Sequence, residues 1–293
     1  MVKIYMINKT TKARLDLNDG GNYILSSLDL GKVEATRSTT QYINLIGKHV
    51  DSSILGERDL SISGVVLCNN PAELRTAKDF LNDFVNPLHE IELHYGDYVI
   101  DAMPDSSIVY AIDNKSKSAV HHIFSFTMTA YYPLFRLNKK TEYADSKSKG
   151  TVLFPLVVPV TEGIAFGYIP AITINNPMNS GDVASGFILR FTALSDGVTN
   201  PKIKNNKTGV SIEVMVNMLK GDVVEVSTVS GNKYAKLIRG ETETDLINNV
   251  TNASSFDLTL NVGINDISIS NASNNITEME ARLDYVPSFI EVS

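Results

Sequence analysis

The sequence has no tryptophan, a single cysteine and no apolar run of about 18 residues, the length that indicates a membrane-spanning helix. One cysteine, Cys68, excludes an internal disulfide framework, so stability has to come from packing or from association with other chains. We expect Cys68 to be a small buried hydrophobe. The amino terminus alternates and carries charges where a signal peptide needs a continuous apolar segment, which predicts a soluble cytoplasmic product.

Basic residues are also outnumbered by acidic residues. The chain holds 26 lysines and arginines against 33 aspartates and glutamates, which gives a net charge of -7. The basic residues form no long stripe, and this argues against a nucleic-acid binder that neutralises phosphates.

Motifs for catalysis and metal binding are missing as well. No pair of histidines has the helical spacing with an intervening glutamate that a zinc protease needs; the five are His49, His89, His94, His121 and His122. No phosphate-binding glycine loop and no G-x-S-x-G turn occurs. The stretch Asp16–Gly21 resembles the start of a calcium loop but lacks the required glutamate, so it is predicted to be a turn.

Three aspartates recur every four residues, at Asp97, Asp101 and Asp105, but on a hairpin this spacing brings them to no common site. We predict that they are solvated turn and strand residues. The sequence therefore predicts no catalytic residue, no cofactor-binding residue and no metal ligand, and the chain is not expected to be an enzyme.

The pattern that is present has a period of two, which is typical of half-buried β-strands. It appears at the amino terminus, at residues 58–66, and in residues 121–132, where Phe124, Phe126 and Met128 share one face. The predicted fold class is mainly β, with an α+β first domain and a β-sandwich second domain.

One segment of the first half is predicted to be a helix. Asn70 can cap it, Pro71 fits its first turn, and Glu73 lies three residues after the cap. Its apolar residues fall on one face; they are Leu74, Ala77, Phe80, Leu81, Phe84 and Val85. Asn86-Pro87 is expected to end the helix, and a hairpin around Gly96-Asp97 follows.

Residues 136–151 are rich in lysine, serine and glycine and mark a domain boundary. Turn residues beyond it separate nine strand-like runs, at 151–160, 170–176, 186–194, 210–216, 222–229, 233–239, 255–261, 265–270 and 279–286. Short strands at this spacing favour a sandwich. The clearest hairpin turns at Ser230-Gly231-Asn232, and a short helix is expected within 241–249.

The order of motifs in the first half resembles the N-terminal domain of the distal tail protein (Dit) family of long-tailed bacteriophages. An arginine-led alternation ending in glycine precedes the helix, an Asn-Pro, a hairpin and an aromatic-Pro-aromatic cluster. The matching residues here are Arg58, Gly64, Pro87, Tyr95, Tyr132, Pro133 and Phe135. In the second half, residues 167–181, 221–237 and 256–269 are similar to the family's C-terminal domain.

The resemblance implies a structural virion protein. Residues 1–137 would form a hexameric ring as a belt domain, 138–150 a linker, and 151–293 a galectin-like β-sandwich that projects outward. The ring would join the tail tube protein to the tail tip, where a tail-associated lysin or a baseplate hub protein would bind it, after assembly in the host bacterial cytoplasm. The first 50 residues match the family less clearly, so the resemblance does not assign the ring contacts.

Two other functions stay open. One is a carbohydrate-binding module that recognises host cell-wall sugar, for which Tyr168, Tyr234 and Tyr285 are available aromatic residues. The other is a tail-tip hydrolase, but no general acid and base can be identified for it. The acidic composition suggests a further hypothesis, that a ring through which DNA passes has a mainly acidic or neutral inner lining.

Overall fold

A computed structural model describes residues 2–43, 46–111, 118–139, 141–144, 172–174, 177–272 and 279–292, of which 141–144 and 172–174 are described by their backbone alone. The chain forms two compact units: Met1–Asn138 with Phe289–Ser293, and Lys139–Ser288. The predicted second domain ran from 151 to 293, whereas residues 289–293 lie in the first unit. The mainly β class is confirmed, since strands dominate the described residues and one α-helix accompanies them.

The first unit is built on one antiparallel sheet whose strands run in the order β2-β1-β7-β8-β10-β6-β3, with β11 on β8 and β9 on β10. A separate two-stranded ribbon consists of β4 and β5. The elements are β1 Ile4–Asn8, β2 Arg14–Leu17, β3 Tyr23–Asp29, β4 Ala35–Thr40, β5 His49–Leu55, β6 Arg58–Leu67, α1 Pro71–Phe84, β7 Ile91–Tyr95, β8 Tyr98–Pro104, β9 Val109–Tyr110, β10 His121–Ala130 and β11 Phe135–Leu137.

The longest pairing joins β6 and β10 over ten residues each, from Arg58↔Ala130 to Leu67↔His121. Both strands alternate between buried and less buried positions, as their period of two predicts. Phe124, Phe126 and Met128 all point into the core. The amphipathic strand predicted for this segment is confirmed.

Gly64 lies in the middle of β6, where a side chain has no room. A Cβ atom at this position would come within 2.6 Å of the Ile24 carbonyl oxygen and 2.7 Å of Phe124 Cζ. The glycine therefore lets a phenylalanine ring and the backbone of β3 approach β6 from the two sides. Close approach of a backbone is one of the uses of glycine inside a strand.

Helix α1 begins and ends close to the predicted positions. Asn70 Oδ1 accepts a hydrogen bond from the Glu73 backbone N–H at 2.9 Å, and Val85 N–H donates to the Leu81 carbonyl after the last turn. Five residues of the predicted apolar face are buried, and the sixth, Phe80, is partly buried against the same core. This helix has 14 residues. The described part of the chain contains no helix that is long and apolar enough to span a membrane.

Strands β7 and β8 form the predicted hairpin. Tyr95 pairs with Tyr98 across Gly96-Asp97, and Gly96 has a φ of +62° that a turn of this kind requires. The predicted turn at Asp16–Gly21 is also present after β2, where Asp19 Oδ1 accepts the Gly21 N–H at 3.0 Å. Cys68 is buried, as predicted, and burial raises the pKa of its thiol.

The second unit contains a six-stranded sheet in the order β12-β25-β15-β20-β21-β22 and a four-stranded sheet in the order β13-β24-β17-β18. Residues of both sheets share one apolar core, with Phe191 on one side and Ile203 on the other. This is the arrangement of a sandwich. The strands of the two sheets are β12 Thr141–Ala144, β13 Ile172–Ile174, β15 Phe187–Ala193, β17 Lys202–Asn205, β18 Ser211–Glu213, β20 Val223–Ser227, β21 Tyr234–Arg239, β22 Thr242–Asp245, β24 Ile267–Ser270 and β25 Met279–Tyr285.

Short elements complete the chain: β14 Met178–Asn179 with β23 Gly263–Ile264, β16 Val198–Thr199 with β19 Asn217–Met218, a 3-10 turn at Ile247–Asn249, and the last strand β26 Ser288–Phe289.

Most of the strand predictions for this unit are confirmed, and the hairpin at Gly231 joins β20 to β21. Residues 255–261 hold only an isolated bridge, between Leu260 and Ser185. The segment 241–249 is mainly a strand, so the expected helix is reduced to its closing 3-10 turn. The predicted strand at 151–160 lies outside the described residues.

The packing at Gly64 gives a direct test. We expect Gly64→Ala to lower the free energy of unfolding by roughly 1–3 kcal/mol, because the added methyl group must displace backbone or an aromatic ring. Gly21→Ala is the control, since its Cβ would meet only the movable Asp19 side chain, at 3.1 Å. Urea denaturation of both variants compares them, and an equal loss would show that the space at Gly64 is not limiting.

Candidate assembly surface

The residues that could carry chemistry are held apart in the structure. Each buried or half-buried histidine has its own local neighbour. His89 lies 3.1 Å from the Asn8 amide, and His94 lies 2.5 Å from Glu92. His121 lies 2.7 Å from the Ser118 hydroxyl, and His122 lies 2.6 Å from the Ala111 carbonyl. His49 is exposed on β5. Among the described residues, no three His, Cys, Asp or Glu side chains are grouped so that they could hold a metal ion.

The three aspartates do not share one environment. Asp97 and Asp105 are exposed, as predicted, but the prediction is wrong for Asp101, which is largely buried. Its carboxylate lies 2.7 Å from Lys9 Nζ and 2.6 Å from Arg136 Nη1. Burial by itself raises the pKa of Asp101, but the hydrogen bonds and charges of Arg136 and Lys9 outweigh it, so the pKa lies below its ordinary value.

The tyrosines considered for a sugar site are also engaged elsewhere. Tyr234 donates to Glu225 at 2.7 Å, and the buried Tyr285 donates to the Met178 carbonyl; Tyr168 lies outside the described residues. Around Glu225, the outer face of the six-stranded sheet carries a row of mutually paired charges, namely Arg282, Asp284, Arg190, Glu225, Lys236 and Glu243. Equal numbers of positive and negative groups leave this row without net charge.

The surface with the most unusual exposure is the β4–β5 ribbon. It continues the β3–β6 hairpin beyond the sheet, because β4 follows β3 and β5 precedes β6. Its pairing runs from Ala35↔Leu55 to Thr40↔His49 with one irregularity after Ser38. Apart from the half-buried pair Ala35 and Leu55, every residue of its two strands is exposed.

Large apolar side chains lie on this ribbon and near its tip. Ile54 is 68% exposed and Val50 48%, and Tyr42, Ile43 and Ile46 are exposed as well. Two strands alone are at best marginally stable in water, and exposed apolar groups that lie close together usually mark an interaction site. The ribbon is therefore the candidate functional surface of the first unit.

Two glycines lie in close contacts at the base of the ribbon. Gly31 has a φ of +61°, and a Cβ there would lie 2.0 Å from the Asp59 carbonyl oxygen, so no other residue fits without backbone movement. On the opposite strand, Gly56 N–H donates to the Glu34 carbonyl at 2.8 Å. The chain therefore leaves and re-joins the sheet at a tightly packed point.

Arg58 secures the same point from within the core. Its fully buried guanidinium donates to the carbonyls of Leu30 at 2.9 Å and Gly31 at 3.0 Å, to Pro133 at 2.9 Å, and to Ile290. These carbonyls come from the ribbon base, the loop before β11 and the carboxyl-terminal residues. We refer to this set of hydrogen bonds as the Arg58 clamp.

The clamp satisfies a buried positive charge mainly with neutral oxygen atoms. The guanidinium also lies over the face of the Phe135 ring in a cation–π contact, with 4.8 Å between Arg58 Cζ and the ring centroid. Burial lowers the pKa of Arg58, while the charge of Glu291 opposes that shift. An arginine remains charged under such conditions, so its donors have to stay occupied.

Sequence reasoning singled out several of these residues but not their role. The structure brings together three residues of the family pattern at the clamp, namely Arg58, Pro133 and Phe135. The other residues of the pattern lie elsewhere. Gly64 is inside the sheet, Tyr95 is beside the β7–β8 turn, and Pro87 follows the helix. The ribbon was missed. Its available signal was a run of threonines and serines with β-branched neighbours on both sides of residues 41–48.

The ion pairs of Asp101 predict a dependence of stability on pH. A depressed pKa in the folded state means that ionised Asp101 stabilises the fold above its unfolded pKa, and that this contribution is lost as the pH falls through the folded pKa. We expect Asp101→Asn to be less stable than the wild type at pH 7, with the difference shrinking steadily below pH 4. Asp97→Asn, at an exposed turn, is the control in the same denaturation series.

Loss of the clamp should be costly. Arg58→Met keeps the apolar stem but leaves buried carbonyls without donors, so we expect a loss of roughly 3–5 kcal/mol in the free energy of unfolding. Arg75→Met, on the exposed face of α1, is the matched control and should change stability by less than about 0.5 kcal/mol. Similar values for the two variants in chemical denaturation would contradict a structural role of the clamp.

Comparisons with known proteins agree with this architecture. No family model and no curated protein matches the sequence. Among solved structures, the Dit (gp 19.1) protein of phage SPP1 matches with a TM-score of 0.64 and 11% identity, over 98% of this chain and 99% of that one. That protein is described as a paradigm of the hub adsorption apparatus in phages that infect Gram-positive bacteria.

A second match is a chain of the phage P2 baseplate in its activated conformation with Ca, with a TM-score of 0.54 and 11% identity over 98% of each chain. The alignments extend over both compact units, so the likeness is not confined to one sandwich or one sheet. At 11% identity, a structural match establishes the fold alone. The described residues of the protein have the fold of the phage distal tail protein Dit in both compact units.

Proposed function

We propose that the protein is a structural component of a bacteriophage tail that forms a hexameric ring between the tail tube and the tail tip. The observation that carries this proposal is the structural match to Dit, which covers 98% of this chain and 99% of that one. A match to a baseplate chain over the same span adds to it.

The internal organisation supports a scaffold. Each unit has its own apolar core, and the described residues include no group of three His, Cys, Asp or Glu side chains that could hold a metal ion. In the proposal, the first unit forms the ring, the linker follows at 138–150, and the second unit is a galectin-like sandwich that points outward. Protein contacts and not reacting groups would then be the function of the chain.

The proposed partners are the tail tube protein on one side of the ring and a tail-associated lysin or baseplate hub protein on the other. DNA has to pass through such a ring without binding to it. A net charge of -7 per chain is favourable for this purpose, since like charges repel the phosphate backbone. We propose a mainly acidic or neutral channel lining, and a continuous circle of lysines and arginines in a ring reconstruction would contradict it.

Native mass spectrometry of the purified full-length protein tests the ring. We expect a dominant species of about 193 kDa at micromolar concentration, six times the chain mass of 32.1 kDa, because a closed ring buries interfaces on every copy. Light scattering after gel filtration, repeated over a tenfold dilution, checks that the species is not formed during ionisation.

A monomer at tens of micromolar would overturn the ring. If that monomer also bound cell-wall polysaccharide in calorimetry, a carbohydrate-binding module would be the better assignment. The paired charges around Glu225 form the polar face on which such binding would be sought, and Tyr234→Ala is the variant that would weaken it.

A further inference from the structure

Two exposed turns of the chain carry the dipeptide Asp-Gly. In this dipeptide the backbone nitrogen of the glycine can attack the side-chain carboxyl carbon of the aspartate, because glycine has no Cβ atom to obstruct the approach. The chain contains the dipeptide at Asp19-Gly20 and at Asp196-Gly197, and it contains no asparagine followed by glycine. All four residues are exposed, so water reaches both places.

The two dipeptides differ in the state of the attacking nitrogen. Gly197 N–H donates to the Met218 carbonyl at 3.1 Å, so its nitrogen is held in a backbone hydrogen bond. Gly20 N–H has no hydrogen-bond partner among the described residues. Apart from its neighbours in the chain, no atom lies within 4 Å of the position that a Cβ would take at Gly20. The Gly20 nitrogen can therefore turn toward the carboxyl group, whereas the Gly197 nitrogen first has to give up a hydrogen bond.

The carboxyl group is prepared in the same way at both places. Asp19 Oδ1 accepts the Gly21 N–H at 3.0 Å, and Asp196 Oδ1 accepts the Lys220 N–H at 2.7 Å. A hydrogen bond to this oxygen stabilises the negative charge that develops on it when the carboxyl carbon is attacked. Since both carboxyl groups have such a donor, the glycine nitrogen is the part of the reaction that distinguishes them.

We propose that Asp19-Gly20 is a site of spontaneous covalent modification, at which Asp19 is converted to isoaspartate. The Gly20 nitrogen forms a bond to Asp19 Cγ, and the protonated carboxyl group loses its hydroxyl, which leaves as water with the proton of that nitrogen. The product is a cyclic imide. Water then adds to one of its two carbonyl carbons: addition at Cγ restores aspartate, and addition at the original backbone carbonyl carbon breaks the bond from that carbon to nitrogen and gives isoaspartate. Water is released once and taken up once, so no further reactant is needed.

The modification alters the turn between β2 and β3 without changing the mass or the charge of the chain, because the backbone of isoaspartate passes through an additional methylene group. Asn18 joins the two ends of this turn: its N–H donates to the Tyr23 carbonyl at 3.2 Å, and its Oδ1 accepts the Leu25 N–H at 2.9 Å. We expect the longer turn to weaken these two hydrogen bonds at the start of β3. The proposal concerns the single chain and does not depend on the proposed ring.

Incubation of the full-length protein in mildly acidic buffer tests the proposal. Peptide mapping follows both dipeptides in one sample, with an isoaspartyl methyltransferase and labelled S-adenosylmethionine to mark the product. We expect isoaspartate to accumulate about 3–10 times faster at Asp19 than at Asp196, the factor that corresponds to one backbone hydrogen bond. Equal rates, or a faster rate at Asp196, would overturn the inference.

The same measurement in urea shows whether the fold causes the difference. Unfolding removes the hydrogen bond between Gly197 and Met218, so the two rates should become similar. A difference that persists in the unfolded chain would assign it to the neighbouring sequence, and this result would also overturn the inference.

Variants at the exposed Asp19 supply a second readout. Asp19→Ser keeps an oxygen that can accept the Gly21 N–H but has no carboxyl carbon, so labelling at residue 19 should disappear while Asp196 reacts as before. Asp19→Asn should react faster, because a neutral amide needs no protonation before it is attacked, and the loss of ammonia followed by hydrolysis changes the mass of the peptide. A mass that stays constant in Asp19→Asn under the same conditions would contradict attack by the Gly20 nitrogen.

Hydrogen exchange measures the effect on the turn. The Leu25 amide should exchange faster in the incubated wild type than in fresh protein, and its exchange in Asp19→Ser should not change with incubation. Acceleration to the same extent in both proteins would show that incubation loosens β3 by another route and would contradict the expected effect of isoaspartate.

Discussion

The first unit depends on how a single buried cation is satisfied. Arg58 cannot lose its proton and has no access to water, so carbonyl oxygens from separate segments must gather around it. Each of those segments lies next to an element: β3 ends just before Leu30, β11 begins just after Pro133, and β26 ends just before Ile290. One side chain therefore fixes the positions of three otherwise independent pieces of backbone.

The same constraint links local geometry to assembly. Gly31 is required because the Asp59 carbonyl approaches it closely, and that approach brings the Gly31 carbonyl within reach of the guanidinium. The ribbon that starts there has little to stabilise it except this base and its own cross-strand bonds. The packing of this part of the unit is therefore concentrated at the base of the ribbon and not along its length.

Sequence patterns predicted the elements whose determinants are local. The Asn70 cap and the apolar face of α1, the turn at Gly96, and the alternation of β6 and β10 all arise from neighbouring residues, and all were found as predicted. Patterns of this kind could not show that Arg58 is buried, because its acceptors lie 27 to 232 residues away and are backbone atoms. The burial of Asp101 was missed for a related reason, since Lys9 directly follows β1 and Arg136 lies in β11, both far from Asp101 in the sequence.

The return of residues 289–293 to the first unit has a consequence for biosynthesis. Domains commonly fold in the order in which the ribosome makes them, at about 5–20 residues per second. Here residues 139–288 lie between the two segments of the first unit, so roughly 8–30 s of translation separate its first 138 residues from residues 289–293. During that interval the inserted unit can acquire its core first, and Arg58 lacks its Ile290 acceptor until the second segment has been made.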